Sequence, residues 1–289
     1  MYSVVDSIPV LLRRDLPPTH PTCQLVPPTS AHDEADDVDA AVDPFVQSAV
    51  LKTCGNLYRP LVGRLGRYPI PTLSLKPGVG QTLLDVGANW GRWSFAAARL
   101  GYQVVAVDPD FEAALAGTRI AKQLGLDVVF VVGDARALPF RSGAADIVHS
   151  YSVFQHFARE DALSAIRECG RVATLGGCVR VQLANRSGPV QRLRRLAGDR
   201  SDIFAVRHWS VAEIRETFET VIGPTSVEAD GFLTLNGQPA DLDLLRYRHK
   251  LVVQASMALR ALSRRVPALV RVADSVVATA TKAVDASSS

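Results

Sequence analysis

The sequence predicts an α/β fold with a mostly parallel, doubly wound sheet and helices on both faces. Three observations carry this. Leu83-Leu84-Asp85-Val86 is a short apolar run; it enters a glycine-bearing turn, Gly87-Ala88-Asn89-Trp90-Gly91, and a helical pattern follows over Trp93–Arg99. That is strand, tight loop, helix, and the free N–H groups at the helix start suit an anionic ligand group. The same alternation then repeats, with apolar runs separated by helix-length segments at least five times between residues 81 and 183. Three of those runs end in an acidic residue, Asp85, Asp108 and Asp134, in that order.

The chain divides into four parts. Residues 1–40 read as a flexible tail, with Pro17, Pro18, Pro21, Pro27 and Pro28 interrupting helices before an acidic run at Asp33, Glu34, Asp36, Asp37 and Asp39. His20 and His32 beside that run fix no metal geometry. Residues 41–76 read as an N-terminal helical cap: Asp43-Pro44 supplies an N-cap and a first-turn proline, and Phe45, Val46, Ala49 and Val50 share a helical face.

Residues 77–236 form the core. Its strands are expected at 82–86, 103–107, 127–132, 145–149 and 178–183, with helices at 111–124 and 159–173 between them. The run at 127–132 is apolar and β-branched, as a strand buried on both faces should be. Ser210-Val211-Ala212-Glu213 is a capping box that starts a helix ending near 219. Val221-Ile222 and Gly231–Leu235 are expected to be the last two strands. Residues 237–289 read as a helical extension, because Leu269, Val272, Ala273, Val276, Val277 and Ala280 repeat at helical spacing; that face could pair two copies of the chain.

The loop after the first core strand decides the ligand. A dinucleotide fingerprint wants G-x-G-x-x-G. Here those positions hold Gly87, Asn89 and Arg92, so the pattern is D-x-G-x-N-x-G over Asp85, Gly87, Asn89 and Gly91. Asn tolerates left-handed backbone and can replace a middle glycine. Asp108 lies 23 residues after Asp85, where a carboxylate accepts from ribose hydroxyls. The stretch 80–235 thereby resembles the class I methyltransferases that use S-adenosylmethionine (SAM). It is closest to the small-molecule group with a Leu138-Pro139-Phe140 turn and a Gln155-His156 segment after the fourth strand.

The resemblance implies a Rossmann-like fold whose sheet has seven strands, the last antiparallel. It implies SAM as cofactor, with S-adenosylhomocysteine as product. The amino-acid end would rest in the bend of Asp85, Gly87, Ala88, Asn89 and Gly91. Asp108 and Pro109 would hold the ribose. Asp134 would accept from the adenine amino group, with the Ala135 N–H on a ring nitrogen. Ser150 and Tyr151 would sit at the switch point beside the first strand. One departure is Arg171–Gly177, where relatives usually have Lys-Pro before the paired glycines; it touches only a surface turn.

Substrate contacts are expected from Tyr58 in the N-terminal cap, from Gln155, and from Arg207, His208 and Trp209 at the end of the 184–209 insertion, a cap rich in arginine. If the acceptor is a hydroxyl a base is needed, worth about 10²–10⁴-fold. His156, just past the fourth strand, is the expected base ahead of His149 and His208. Each of these has a plainer reading as a packing or surface residue.

A net charge of +3 argues against nucleic acid as the main partner. Cys23, Cys54, Cys169 and Cys178 form no zinc or disulfide pattern, which fits a reducing compartment. The N-terminus lacks signal-peptide order and no run is long enough to span a membrane, so a cytoplasmic location is expected. The reading is a methyltransferase acting on a small molecule such as a sugar or secondary metabolite. RNA or protein methylation, or a catalytically silent scaffold, are the alternatives.

Overall fold

The computed structural model describes residues 3–13, 15–17, 42–196, 209–234 and 236–283. The sheet begins with a hairpin, β1 (Ser3–Val5) and β2 (Ile8–Val10). Next come helix α1 (Pro44–Cys54) and the core units β3 (Thr82–Val86), α2 (Arg92–Arg99), β4 (Gln103–Asp108), α3 (Phe111–Leu124) and β5 (Val128–Val132). β6 (Ala145–Tyr151), α4 (Arg159–Val172), β7 (Ala173–Ala184) and α5 (Pro189–Leu196) follow. The chain ends with α6 (Val211–Val221), β8 (Thr225–Gly231), α7 (Tyr247–Ser263) and β9 (Ser275–Thr281). Among the described residues one sheet contains nine strands in the order β1-β2-β5-β4-β3-β6-β7-β9-β8.

From β5 to β8 this is the expected seven-stranded sheet, parallel except for β9, which runs antiparallel between β7 and β8. The order reverses between β3 and its neighbours β4 and β6, which opens a crevice at the carboxyl ends of those strands. Alternate strand residues feed two cores. Leu83, Ala106 and Phe130 pack with α1, α2 and α3, while Leu84, Val148 and Val181 pack with α4 and α6.

Two expectations are corrected. Residues 3–10 are a β-hairpin rather than tail. Asp6 and Ser7 both take positive φ (48° and 63°), the two-residue turn whose twist suits a hairpin. Ile8 is buried, and Leu11 N–H donates to Val132 O at 2.8 Å, adding the hairpin to the edge at β5. Residues 18–41, with His20, His32 and the acidic run, lie outside the described residues.

The second correction is at the far end. Val276, Val277 and Ala280 belong to β9, not to a helix, and Leu269 and Val272 lie on a 3₁₀ turn, Pro267–Val272, with Ala273 after it. β9 is buried on both faces, so it reads as apolar all round, and an i, i+3, i+4 pattern appears in such a run by chance. A strand in the middle of the sheet cannot be the proposed dimer face. The last antiparallel pair is therefore not the two strands expected at 221–222 and 231–235: Val221 ends α6, and 43 residues separate β8 from β9.

Where local chemistry dictated a terminus, expectation and structure agree. Asp43 Oδ1 accepts from Phe45 N–H at the start of α1, Asp110 caps α3, and the Ser210–Glu213 capping box is complete.

Candidate functional site

The three acidic strand ends lie side by side on the carboxyl edge of the sheet. Asp85 pairs in register with Ala106 of β4 and His149 of β6, Asp108 pairs with Val132, and Asp134 follows β5 by two residues. They neighbour one another along that edge, and each has a different set of partners.

Asp108 is the carboxylate best prepared for a ligand. Oδ2 accepts Asn89 N–H at 2.8 Å and Oδ1 accepts Asp110 N–H at 3.0 Å, with Pro109 fixing the bend between them. Each oxygen keeps a further lone pair for a hydroxyl donor. Burial, only partly offset by those two N–H groups, pushes its pKa up to about 7.

The glycine loop takes the left-handed backbone its pattern calls for. Gly87 has φ +76°, and a Cβ there would lie 2.3 Å from Val153 Cγ2. Gly91, at φ +89°, would meet Phe130 Cζ at 2.7 Å. Asn89 takes φ +48° between them and its Oδ1 accepts Trp90 N–H, the turn an asparagine stabilises. Ala88, which is buried, and Gly87 both donate to Val107 O, tying the loop to β4.

Asp85 differs from its assigned role. It is 2% exposed, with Oδ2 accepting from Ser94 Oγ at 2.7 Å and Oδ1 lying 3.2 Å from His149 Nδ1. It supports the loop from beneath and orients His149. Asp134 is held by Arg136, which binds both carboxylate oxygens through its guanidinium and donates its backbone N–H at 2.8 Å. Arg136 also reaches Asp161 and Pro17 O, a partner no strand pattern announces. Ala135 follows, buried in the core beneath β6.

Beyond β6 the backbone is strained at Ser152, φ +63°. Ser150 is fully buried and Tyr151 donates its hydroxyl to Asp230 Oδ2 at 2.7 Å. Burial, reinforced by the Asp230 charge, holds that phenol far above its ordinary pKa, so it remains a donor.

The expected substrate contacts fare less well. Tyr58 is fully buried; its hydroxyl donates to Asp241 Oδ2 at 2.5 Å and accepts from Arg92 Nη2 at 3.3 Å. Arg92 in turn pairs with Asp241 at 2.6 Å and donates to Pro69 O, a buried ion pair that ties the glycine loop to the C-terminal segment. Trp209 is 2% exposed, under the Arg159 guanidinium at 3.7 Å and inside the core beside α6. Gln155, also 2% exposed, donates to Ser152 Oγ and accepts Ala184 N–H, clamping the ends of β6 and β7 together. Each is buried against protein partners: Tyr58 on Asp241 and Arg92, Gln155 on Ser152 and Ala184, and Trp209 beneath Arg159. Arg207 and His208 lie outside the described residues. His156 is half-buried on the 3₁₀ turn Phe154–His156, its Nε2 3.5 Å from Gln155 Nε2.

A narrow cleft missed by sequence reasoning, with room for about one water molecule, opens on the face of β6, β7, β9 and β8. Trp93, His149, Tyr151, Gln182, Asp230 and Arg260 line it, under the strap of residues 72–74. The Trp93 ring lies 4.2 Å from that of Tyr151 and 5.3 Å from that of His149. With Nδ1 engaged by Asp85, His149 keeps Nε2 for this cleft, the arrangement of an oriented imidazole base. The only sequence signal was that His149 and Tyr151 alternate on one strand face with Asp85 as a cross-strand neighbour.

Residues 83–177 match the methyltransferase domain family. The chain is 31% identical over 124 residues to a ubiquinone biosynthesis O-methyltransferase of Caulobacter vibrioides, covering 43% of this chain and 48% of that protein. An uncharacterized methyltransferase of Mycobacterium tuberculosis is 37% identical over 116 residues, 39% of this chain and 43% of the relative. The chain thus spans about half the length of these relatives. A solved SAM-dependent methyltransferase of Methanosarcina mazei, 17% identical, superposes with a TM-score of 0.53 over 74% of this chain and all of that one, a likeness of fold.

Proposed function

We propose that this chain, which carries a class I SAM-dependent methyltransferase domain over residues 83–177, transfers the methyl group of SAM to a small-molecule acceptor. SAM, when bound, supplies an electrophilic methyl on a sulfonium. The chain's own residues hold it. The bend from Gly87 to Gly91, whose glycines let Val153 and Phe130 pack close beneath it, would carry the amino-acid end on its backbone, Asp108 would accept from the ribose, and Asp134 and Ala135 would border the adenine. The enzyme's remaining task is to place the acceptor in line and keep water out, a proximity effect that can supply much of the acceleration.

The observation that carries this reading is Asp108. Its carboxylate is fixed by two backbone N–H groups at a strand end, with lone pairs left for a diol. Titration calorimetry with S-adenosylhomocysteine tests it. Binding should be seen, and Asp108→Ala should weaken it about tenfold or more. A chain that gives no heat with S-adenosylhomocysteine, and none of whose substitutions at this edge matter, would be a scaffold instead.

For a hydroxyl acceptor, His149 is the better-placed base, because Asp85 fixes its tautomer and it lines a cleft. His156 remains the alternative on the strand's exit turn. Turnover lost in His149→Gln but kept in His156→Gln, with cofactor affinity retained in both, supports the first assignment. The relative that bears an O-methyltransferase name favours an oxygen acceptor.

A further inference from the structure

We propose that the outer face of α7, with the 3₁₀ turn after it, docks onto a membrane surface of anionic lipid. From Leu244 to Ala273 the chain carries seven Arg and Lys residues and no Asp or Glu. Arg260 faces Asp230 at 3.9 Å; among the described residues the other six have no ion pair. The same stretch holds six of the fourteen large apolar side chains that are exposed among the described residues, so apolar exposure is concentrated where carboxylates are missing. Soluble chains rarely expose a contiguous apolar patch without a partner for it.

The apolar groups are in register. Val253, Ser256 and Ser263 form the buried side of α7, and Ser256 Oγ accepts Phe232 N–H at 3.0 Å, which fixes how the helix is turned. Tyr247, Leu251, Ala255, Ala258 and Leu262 follow at i, i+4, i+8, i+11 and i+15, so they form one stripe on the opposite side. All five are exposed, Tyr247 to 76%. Arg248 and Lys250 flank the stripe near its start, and the exposed Arg264 and Arg265 close its end. This is the pattern of a helix lying in an interface: apolar side chains enter the acyl boundary while the cations reach headgroups. No helix among the described residues is long and apolar enough to cross a bilayer, so α7 would lie on it. Charge and apolarity together choose the partner. A nucleic acid uses the cations but leaves the stripe in water. A second copy covers the stripe but sets two cationic faces together. An anionic leaflet satisfies both.

The test is flotation of the full chain with vesicles of equal parts phosphatidylcholine and phosphatidylglycerol. The chain should rise with them, and should bind vesicles of phosphatidylcholine alone about tenfold or more weakly. Leu251→Ser with Leu262→Ser should lose about tenfold or more on the anionic vesicles, as should Arg264→Gln with Arg265→Gln. All four side chains are exposed, so Tm and S-adenosylhomocysteine affinity should stay as in the parent. Tyr247→Trp should shift its fluorescence to the blue when anionic vesicles are added. A chain that stays behind while the anionic vesicles float overturns the proposal, whether or not it binds S-adenosylhomocysteine. Vesicle binding undiminished by the leucine pair overturns it too, since charge alone would then suffice. So does a solution dimer that the leucine pair splits, which would give the stripe to a second copy.

Discussion

At the ends of β3, β4 and β5, carboxylates find most of their partners within the strand–loop–helix units of that edge. Asp108 is held by Asn89 and Asp110, Asp134 by Arg136, and Asp85 by Ser94 as well as by His149. The cleft on the face of β6, β7, β9 and β8 is assembled from side chains as far apart as Trp93 and Arg260, and it leaves Gln182 unmatched. The first region is built from strand–loop–helix units, each of which carries its own site residues. The second exists only once the sheet has closed. A common cofactor can be served by a motif, whereas a particular acceptor is served by whatever residues the fold brings together.

Breaking the link between the two regions should have the largest effect. Arg92 in the glycine loop and Asp241 near the cleft form a buried pair joined by Tyr58. Asp241→Ala leaves a cation buried without its partner and should cost about 3–5 kcal/mol, lowering Tm by about 10 °C. The double variant Arg92→Met with Asp241→Leu should recover most of that loss. If the single variant melts like the parent, the pair does not join the regions and the contrast drawn above loses its hinge.

Asp108→Asn sharpens the account of the motif-built edge. It should cost about 1.5–3 kcal/mol of S-adenosylhomocysteine binding at pH 8, since hydroxyl donors favour the ionised carboxylate. The sign of the pH effect follows from the raised pKa of about 7. Below that pH the free protein holds a proton that the ligand must expel, so parent affinity should rise from pH 6 to pH 8 and level off above, with proton release on binding. The same shift makes Asp108 favour the unliganded fold at low pH, a contribution lost as pH rises through about 7. Calorimetry in buffers of different ionisation enthalpy reads the released proton; a flat pH profile in the parent would sink the assignment.

Gly87→Ala forces both a positive φ and a 2.3 Å approach to Val153. The expected loss is about 1–3 kcal/mol, shared between stability and cofactor affinity. Adding Val153→Ala should return only the part due to the clash. The smallest effect belongs to Ser210→Ala at the capping box of α6, which should cost about 1 kcal/mol in denaturant melts and leave cofactor binding untouched. A change in binding there would mean that α6 is coupled to the site, against the separation described here.

Residues 81–186 were largely legible in sequence, because there local rules and tertiary demands agree. The bend at Gly87–Gly91 needs left-handed backbone, buried parallel strands need β-branched runs, and helix starts need Asp43, Asp110 and Ser210. Tyr58, Gln155 and Trp209 misled because a polar or aromatic residue near a motif looks the same whether its partner is a ligand or a distant backbone atom. β9 misled because a strand apolar on both faces has no periodicity of its own, so a chance helical spacing stood unopposed.

The strand–loop–helix units of the parallel core and the carboxylate at each strand end were therefore determined by the sequence itself, since turn geometry, capping and β-branched runs within a few residues mark them. Only the tertiary structure decided that the chain's last strand would enter between β7 and β8, that Arg92 would find Asp241, and that Gln182 would face a cleft beside Trp93. Those pairings join segments tens to more than a hundred residues apart. They are selected by the burial of whole surfaces, which no short stretch of chain contains.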